Sequence, residues 1–205
     1  MTDMVQQDKR INDVALNLLF REARTLRKWQ DRPVDPELLQ ELYDLVKLGP
    51  TGGNMSPARF LFLTTEESKA RLIPHLWESN RERTRTAPVV ALVGYDQRFY
   101  EQVEKLAPHQ DPHKTREKFE ANPVYAEFAA LQSSSLQGAY LIMAARALGL
   151  DAGPMGGFDA EGINAEFFSG TTFRINFVCN LGYGDWSDIR PRLPRLDFEE
   201  AVTVL

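Results

Sequence analysis

A long helical segment near the middle of the chain, residues 123–148, constrains the fold more than any other stretch. Asn122 can cap this helix, a proline suits its first position, and Gly149 can end it. Its second half, residues 136–148, is apolar on almost every side, which is typical of a buried helix. The small residues at 133–139 let another backbone approach closely, either inside one subunit or at the centre of a dimer.

The remaining sequence alternates between helical and strand-like patterns. Helical periodicity and capping residues predict helices over residues 13–20, 36–48, 66–77 and 160–168. Short apolar runs predict strands over residues 60–63, 89–93 and 173–181. The charged segment 98–122 predicts short surface helices. Because no repeat or linker interrupts the pattern, we expect one α+β domain over residues 1–205.

Composition excludes several classes of protein. The net charge of −5 argues against a broad nucleic-acid surface, and no apolar run reaches the roughly 18 residues that a membrane span needs. Residues 1–10 lack the apolar core of a secretory signal, so we expect a cytoplasmic protein. Cys179 is the only cysteine, which excludes an intrachain disulfide and a cysteine-based zinc site.

Two arginine clusters lie near opposite ends of this acidic chain. Arg24 and Arg27 belong to the first cluster. Arg190, Arg192 and Arg195 form the second. Arginine binds phosphate with two donors at once and keeps its charge at any working pH. If the fold brings the clusters together, they form a pocket for a small phosphorylated cofactor.

Two glycine-rich loops provide further candidate ligand contacts. The first, residues 49–57, contains Asn54, whose amide can donate to and accept from the edge of a heteroaromatic ring. An ordinary turn without a ligand explains this loop equally well. The second, residues 153–159, precedes a helix N-terminus, where free N–H groups can bind an electron-rich atom. Here Asp159 can also act simply as a helix cap.

Common catalytic motifs are missing from the sequence. There is no G-x-G-x-x-G fingerprint after a strand, no Walker loop and no G-x-S-x-G elbow. The three histidines lack a metal-ligand context, so we expect no metal site. No nucleophile and base form a recognisable pair, and we therefore expect no catalytic side chain. If the protein is an enzyme, a bound cofactor carries its chemistry.

Taken together and in this order, four segments resemble the FMN-dependent nitroreductase family. They are residues 24–29, 49–57, 149–159 and 190–194, and their span covers about the whole chain. Within the family, the first glycine-rich loop and the C-terminal ending resemble the malonic semialdehyde reductase branch of pyrimidine degradation. One departure is Ala58, since many relatives carry a tryptophan at this point, and its loss argues against a general nitroarene reductase.

The resemblance implies a fold, an assembly and a reaction. The fold is a three-layer α+β arrangement with a mixed central sheet flanked by helices, in an intertwined homodimer that binds FMN between its subunits. The implied reaction is ping-pong hydride transfer from NADPH or NADH to a small acceptor, here 3-oxopropanoate (malonic semialdehyde), which yields 3-hydroxypropanoate. A broad nitro or quinone reductase and a non-catalytic flavin carrier or sensor are the alternatives.

The resemblance also gives individual residues a role at the cofactor. The residues implied to contact FMN are Arg24, Thr25, Arg27, Asn54, Gly156, Gly157, Arg190 and Arg192. Arg24, Thr25 and Arg192 would hold its phosphate and ribityl end together with Arg190. Arg27 would lie at the pyrimidine side, where a positive charge stabilises the reduced flavin.

The remaining implied roles concern the flavin ring and the acceptor. Asn54 would contact the ring, and the N–H groups of Gly156 and Gly157 would lie near its reactive edge. Arg59 is a candidate for binding the acceptor's carboxylate, although a structural ion pair explains this residue too. The segment 98–122 is a candidate lid or specificity region, or else an ordinary surface insertion.

Overall fold

A computed structural model describes residues 10–205 of the chain. The segment used above to argue against a secretory signal lies almost wholly outside the described residues. Four strands form one sheet in the order β1-β2-β4-β3. Their bounds are β1 Ala58–Leu63, β2 Val89–Asp96, β3 Asp151–Met155 and β4 Phe173–Gly182. Within the described part of the chain, no helix has the length and hydropathy needed to span a membrane.

Helices of very different lengths surround this sheet. The α-helices are α1 Asp13–Leu16, α2 Pro36–Val46, α3 Glu66–Leu72, α4 Glu78–Arg85, α5 Val103–Leu106, α6 Pro112–Glu120, α7 Pro123–Ala147, α8 Ala160–Phe167 and α9 Phe198–Ala201. Short turns of other helix types lie at Asn17–Arg21, Gly52–Asn54, Ile73–His75, Phe99–Gln102 and Trp186–Asp188. The expected long helix and the expected short helices of segment 98–122 are both confirmed.

The α+β class is confirmed, but the sheet differs from the mixed one that the resemblance implies. Strands β1 and β4 both run antiparallel to β2, and β3 runs antiparallel to β4. Two parallel strands are usually joined by a single crossover helix. The β1–β2 connection instead contains two helices, α3 and α4, and β2 runs in the direction opposite to β1. Helix α8 has only 8 residues, or about 12 Å, and returns the chain to the end of the sheet where β3 stops.

The sheet lies between two layers of helices, each with its own apolar core. On β2, Ala91 faces α2 and α7 and packs in the cluster that contains Leu42 and Leu141. Its neighbour Leu92 faces the opposite way and packs in the cluster that contains Leu72 and Ile163, from α3 and α8. This alternation is the period of two expected of a strand buried on both faces.

Helix α7 holds the sheet and the first glycine-rich loop together. At Gly138 it packs so closely on the Phe177 ring of β4 that any side chain would clash. One turn earlier, Ser133 Oγ accepts a 3.3 Å hydrogen bond from the N–H of Gly52. Gln137 Oε1 accepts one of 2.9 Å from the N–H of Ala58. One side of the thin part of α7 therefore packs within its own subunit and holds the loop before β1 at Gly52 and Ala58, while Ser135 and Ala139 are exposed on the other side.

Candidate functional site

The two arginine clusters meet in one cavity of about 370 Å³. Residues 23–27 and 189–195 form most of its wall. Six arginines line it, namely Arg24, Arg27, Arg146, Arg190, Arg192 and Arg195. None of the described residues that line the cavity is acidic. The condition stated for a phosphate pocket, that the fold brings the two clusters together, is therefore met, and binding of an anion there stays a prediction.

Side-chain hydrogen bonds join the two chain ends directly. Arg192 Nη2 donates bonds of 2.8 Å to the backbone carbonyls of Arg21 and Ala23. Arg24 Nη2 donates in the opposite direction, to the carbonyl of Arg190. We call these three bonds the arginine clasp. Each guanidinium has five N–H donors, so both arginines retain donors for a ligand.

Arg146, in the last turn of α7, is a cavity residue that the sequence did not reveal. Its Nη1 donates a 3.0 Å hydrogen bond to the carbonyl of Leu19, whereas its buried Nε has no partner among the described residues. Burial lowers the pKa of Arg146, Asp151 acts in the opposite direction, and the positive charge of Arg192 lowers it again. An anion in the cavity would offset this lowering, because an opposite charge favours the charged guanidinium.

Another arginine, which does not line the cavity, lies close to Arg27. This is Arg83 of α4, whose Nη2 donates to Asn80 Oδ1 and whose buried Nε has no partner in the described part of the chain. Burial and the positive charge of Arg27 both lower the pKa of Arg83. Sequence inspection missed Arg83 because alternating charges between residues 78 and 85 are typical of a solvated helix face.

Asn80 connects Arg83 to the glycine-rich loop after β3. Its Nδ2 donates a 2.7 Å hydrogen bond to the carbonyl of Gly157, which also accepts 3.0 Å from the N–H of Trp77. A Cβ on Gly157 would lie 2.6 Å from Asn80 Nδ2, so packing requires glycine there. At Gly156 no atom lies within 4 Å of a Cβ position, and this residue borders open space.

Asn54 lies apart from the arginine cavity. It has a φ of 58°, in the left-handed region that asparagine tolerates, and is not among the residues that line the cavity. Its Nδ2 donates a 2.6 Å hydrogen bond to the carbonyl of Leu106, at the end of α5. The first glycine-rich loop is thus tied to segment 98–122, whose role as a lid stays a prediction.

Arg59 is bound mainly to its own subunit. Its Nη2 forms a 2.7 Å ion pair with Asp96, and its Nη1 donates to backbone carbonyls at 56–58. Asp96 is held in turn by Thr172 Oγ1 at 2.6 Å and by the N–H of Arg98 at 2.9 Å. These contacts match the structural explanation of Arg59 and leave its binding of an acceptor as a prediction.

Relatives of known name resemble the chain over nearly its full length. A protein from Ralstonia nicotianae, named as a candidate NADH dehydrogenase/NAD(P)H nitroreductase, is 54% identical over 190 residues, which cover 93% of this chain and 96% of that protein. A protein of the same description from Burkholderia lata is 52% identical over 194 residues, covering 95% of this chain and 98% of its own length.

Solved structures share the fold at much lower identity. A candidate nitroreductase from Bacillus subtilis aligns with a TM-score of 0.85 at 22% identity, covering 95% of this chain and all of the other (100%). A candidate nitroreductase from Exiguobacterium sibiricum, solved in complex with FMN, aligns with a TM-score of 0.79 at 22% identity, covering 96% and 99%. The model of the nitroreductase family matches residues 20–183, well over half of the chain. The chain therefore belongs to the nitroreductase family.

Proposed function

We propose that the chain is an FMN-dependent NAD(P)H oxidoreductase whose 205 residues form a single cofactor-binding domain. The observation that carries this proposal is the cavity in which six arginines converge and in which the described lining residues include no acidic side chain. A site of this charge inside a protein of net charge −5 is suited to a phosphate group rather than to a neutral metabolite.

The residues present fit the two ends of FMN. Arg24, Arg190 and Arg192 offer guanidinium donors for the phosphate, and Thr25 adds a hydroxyl in the same wall. The unpartnered Nε of Arg146 is one more donor that a bound anion can satisfy. Bound FMN supplies hydride transfer between NAD(P)H and the acceptor. The names of the close relatives, which include NAD(P)H, agree with this choice of donor.

Arg27 and Arg83 are suited to the pyrimidine side of the flavin. Burial and the positive charge of Arg27 both lower the pKa of Arg83, and negative charge that develops beside the pair would favour its charged form. Arg83 donates a hydrogen bond to Asn80, and Asn80 in turn donates one to the carbonyl of Gly157. We assign the N–H groups of Gly156 and Gly157 to the reactive edge of the ring, and Gly156 borders open space there.

We further propose that the working unit is an intertwined homodimer. Apolar side chains on one face of α7 are exposed, namely Val124, Tyr125, Phe128, Leu131, Leu136 and Tyr140. All residues from 189 to 205 are exposed as well, including Leu193, Phe198 and Val204. A second copy that covers both surfaces accounts for this exposure. It also supplies a second Asn54, which we assign to the flavin bound mainly by its partner.

For the acceptor we propose 3-oxopropanoate, a small aldehyde acid, which the enzyme would reduce to 3-hydroxypropanoate in the cytoplasm. Support comes from the first glycine-rich loop and the C-terminal ending, because both resemble the malonic semialdehyde reductase branch. Ala58 supports it too, since it leaves the loop without a bulky aromatic side chain. A broad nitro or quinone reductase is the second candidate, since the relatives are named as nitroreductases. A flavin carrier without turnover is the third.

Three measurements on the purified protein separate these functions. Titration with FMN should give a protein-bound flavin spectrum, and its failure would refute all three. Anaerobic NADPH or NADH should bleach that spectrum, whereas a carrier keeps it. Comparing kcat/KM for 3-oxopropanoate and for a nitroarene then identifies the preferred acceptor. A nitroarene preferred by a large factor would overturn the aldehyde assignment.

A further inference from the structure

Trp77 is a large aromatic side chain in an unusual position. The residue is 65% exposed, although the neighbouring Leu76 and Asn80 are only 2% and 3% exposed. The backbone around it is fixed, because Leu76 pairs with Phe158 and the N–H of Trp77 donates 3.0 Å to Gly157. The carbonyl of Trp77 accepts a 2.8 Å bond from the N–H of Asn80. The indole is therefore held in solvent by a rigid frame, not by a loose loop.

One side of the indole rests on the second glycine-rich loop. A Cβ on Gly157 would lie 2.9 Å from Trp77 Cε3 and 3.1 Å from Cδ2, so the ring lies directly against this glycine. The adjoining Gly156 has no atom within 4 Å of its Cβ position. The open space over Gly156 is thus bordered by the backbone of this glycine and lies beside the indole ring of Trp77. Arg83 is linked to the same loop at Gly157 through Asn80, which accepts a hydrogen bond from Arg83 and donates one to the carbonyl of Gly157.

We propose that Trp77 is a specificity-determining residue that packs against the planar nicotinamide ring of NAD(P)H. This inference rests on the proposed function, because it takes the space over Gly156 as the place where the hydride donor meets the cofactor. Aromatic rings gain from offset or edge-on contact with a flat conjugated partner, and an indole also favours the cationic oxidised nicotinamide. An aldehyde acid without a ring gains little from such a wall.

The test compares Trp77→Ala, Trp77→Phe and a matched control, Trp186→Ala, each as FMN-loaded protein. Trp186 is another exposed tryptophan, at 46%, and lies outside this loop. The probe is tetrahydro-NADPH, an analogue that binds without transferring hydride, titrated by the change in flavin absorbance. We expect Trp77→Ala to raise its Kd about tenfold, equal to about 1.4 kcal/mol. Trp77→Phe should stay within about threefold of wild type, since it keeps an aromatic ring.

Two further readouts distinguish this role from a merely structural one. In Trp77→Ala, kcat/KM for NADPH should fall by a factor similar to the loss of analogue affinity, while kcat/KM for 3-oxopropanoate changes by less than about threefold. The ratio of FMN to protein should equal that of wild type. Wild-type affinity of FMN-loaded Trp77→Ala for the analogue, or loss of FMN from it, overturns this inference alone. A wild-type protein that binds no FMN overturns the proposed function together with it.

Discussion

The arginine clasp allows a sharp test of the phosphate site, in which Arg24 and Arg192 are both replaced by alanine. Each charge-assisted hydrogen bond to phosphate contributes about 1.5–3 kcal/mol, so two of them contribute about 3–6 kcal/mol. Arg192 is exposed and Arg24 only partly buried, and solvent screening favours the lower limit. A loss of about 3 kcal/mol raises the Kd for FMN roughly 100-fold.

The ligand comparison makes this prediction specific to phosphate. Riboflavin has the same ring and ribityl chain but no phosphate, so its affinity should change by less than about threefold in the double variant. Arg195→Ala is the matched control. It removes a positive charge from the same cavity, but the hydrogen bonds of Arg195 to the described residues go to the carbonyls of Leu193 and Pro194 in its own segment. We expect it to weaken FMN binding by less than about threefold.

Fluorescence titration of the flavin measures both affinities, and gel filtration checks that the variant remains a folded apo dimer. The lost clasp bonds are largely exposed, so the free energy of unfolding should fall by no more than about 1–2 kcal/mol. Unchanged FMN affinity in the double variant would show that the phosphate binds elsewhere. Equal losses for FMN and riboflavin would show that the clasp shapes the whole cavity and does not recognise phosphate.

Three other perturbations follow from contacts described above. Gly157→Ala should lower the free energy of unfolding by about 1–3 kcal/mol in a thermal melt through its clash with Asn80, whereas Gly156→Ala, in open space, should leave it nearly unchanged; equal effects would contradict the packing argument. Arg83→Ala should lower the midpoint potential of bound FMN by about 20 mV, if its charge contributes about 1 kcal/mol to the reduced state, and Arg83→Lys should restore it in a redox titration. Burial and the hydrogen bond to Glu127 raise the pKa of Tyr95 to about 12 from 10.0, so its contribution to stability is complete below pH 10 and is lost as the pH rises to 12. In denaturant melts, the free energy of unfolding of Tyr95→Phe should fall less than that of wild type between pH 10 and pH 12. An equal fall in both proteins would show that Tyr95 does not cause this pH dependence.

The elements that the sequence predicted well are those with strong local signals. Helix α2 begins after Asp35, whose side chain accepts from the N–H of Glu37, and α7 ends at Ala147 as its flanking glycine indicates. The strands β2 and β4 are apolar runs with clear boundaries. In these segments propensity, capping and burial all favour the same structure, so a local pattern suffices.

Tertiary partners decided the segments that the sequence did not predict. Strand β3 reads as a glycine-rich loop because it contains Gly153 and Pro154, yet pairing with β4 along one sheet edge makes it a strand. Helix α4 has a highly charged sequence, and only its contacts to the second glycine-rich loop show that Asn80 is buried. No local pattern encodes such contacts.

Within the site, the sequence showed the two arginine clusters, but only the fold determines that they meet in one cavity, because like charges do not attract each other. Arg146 and Arg83 did not stand out, since Arg146 is a lone cation in α7 and Arg83 is one of three arginines in the highly charged helix α4. Asn54 illustrates a further limit. Its residue type indicated a ligand contact, but the structure shows its amide bound to Leu106 within the same subunit. Whether a polar side chain meets a ligand depends on the competing partner that the fold places beside it.

The arginine clasp also sets an order of events during biosynthesis. Residues 21–24 leave the ribosome early, whereas Arg192 emerges only after all four strands have been made. The sheet and α7 can therefore pack while the wall of the cavity that contains Arg192 is still missing. If FMN binds as proposed, it cannot be loaded onto a growing chain and must enter once the sheet is complete. Each molecule that binds FMN in this way therefore passes first through an apoprotein stage.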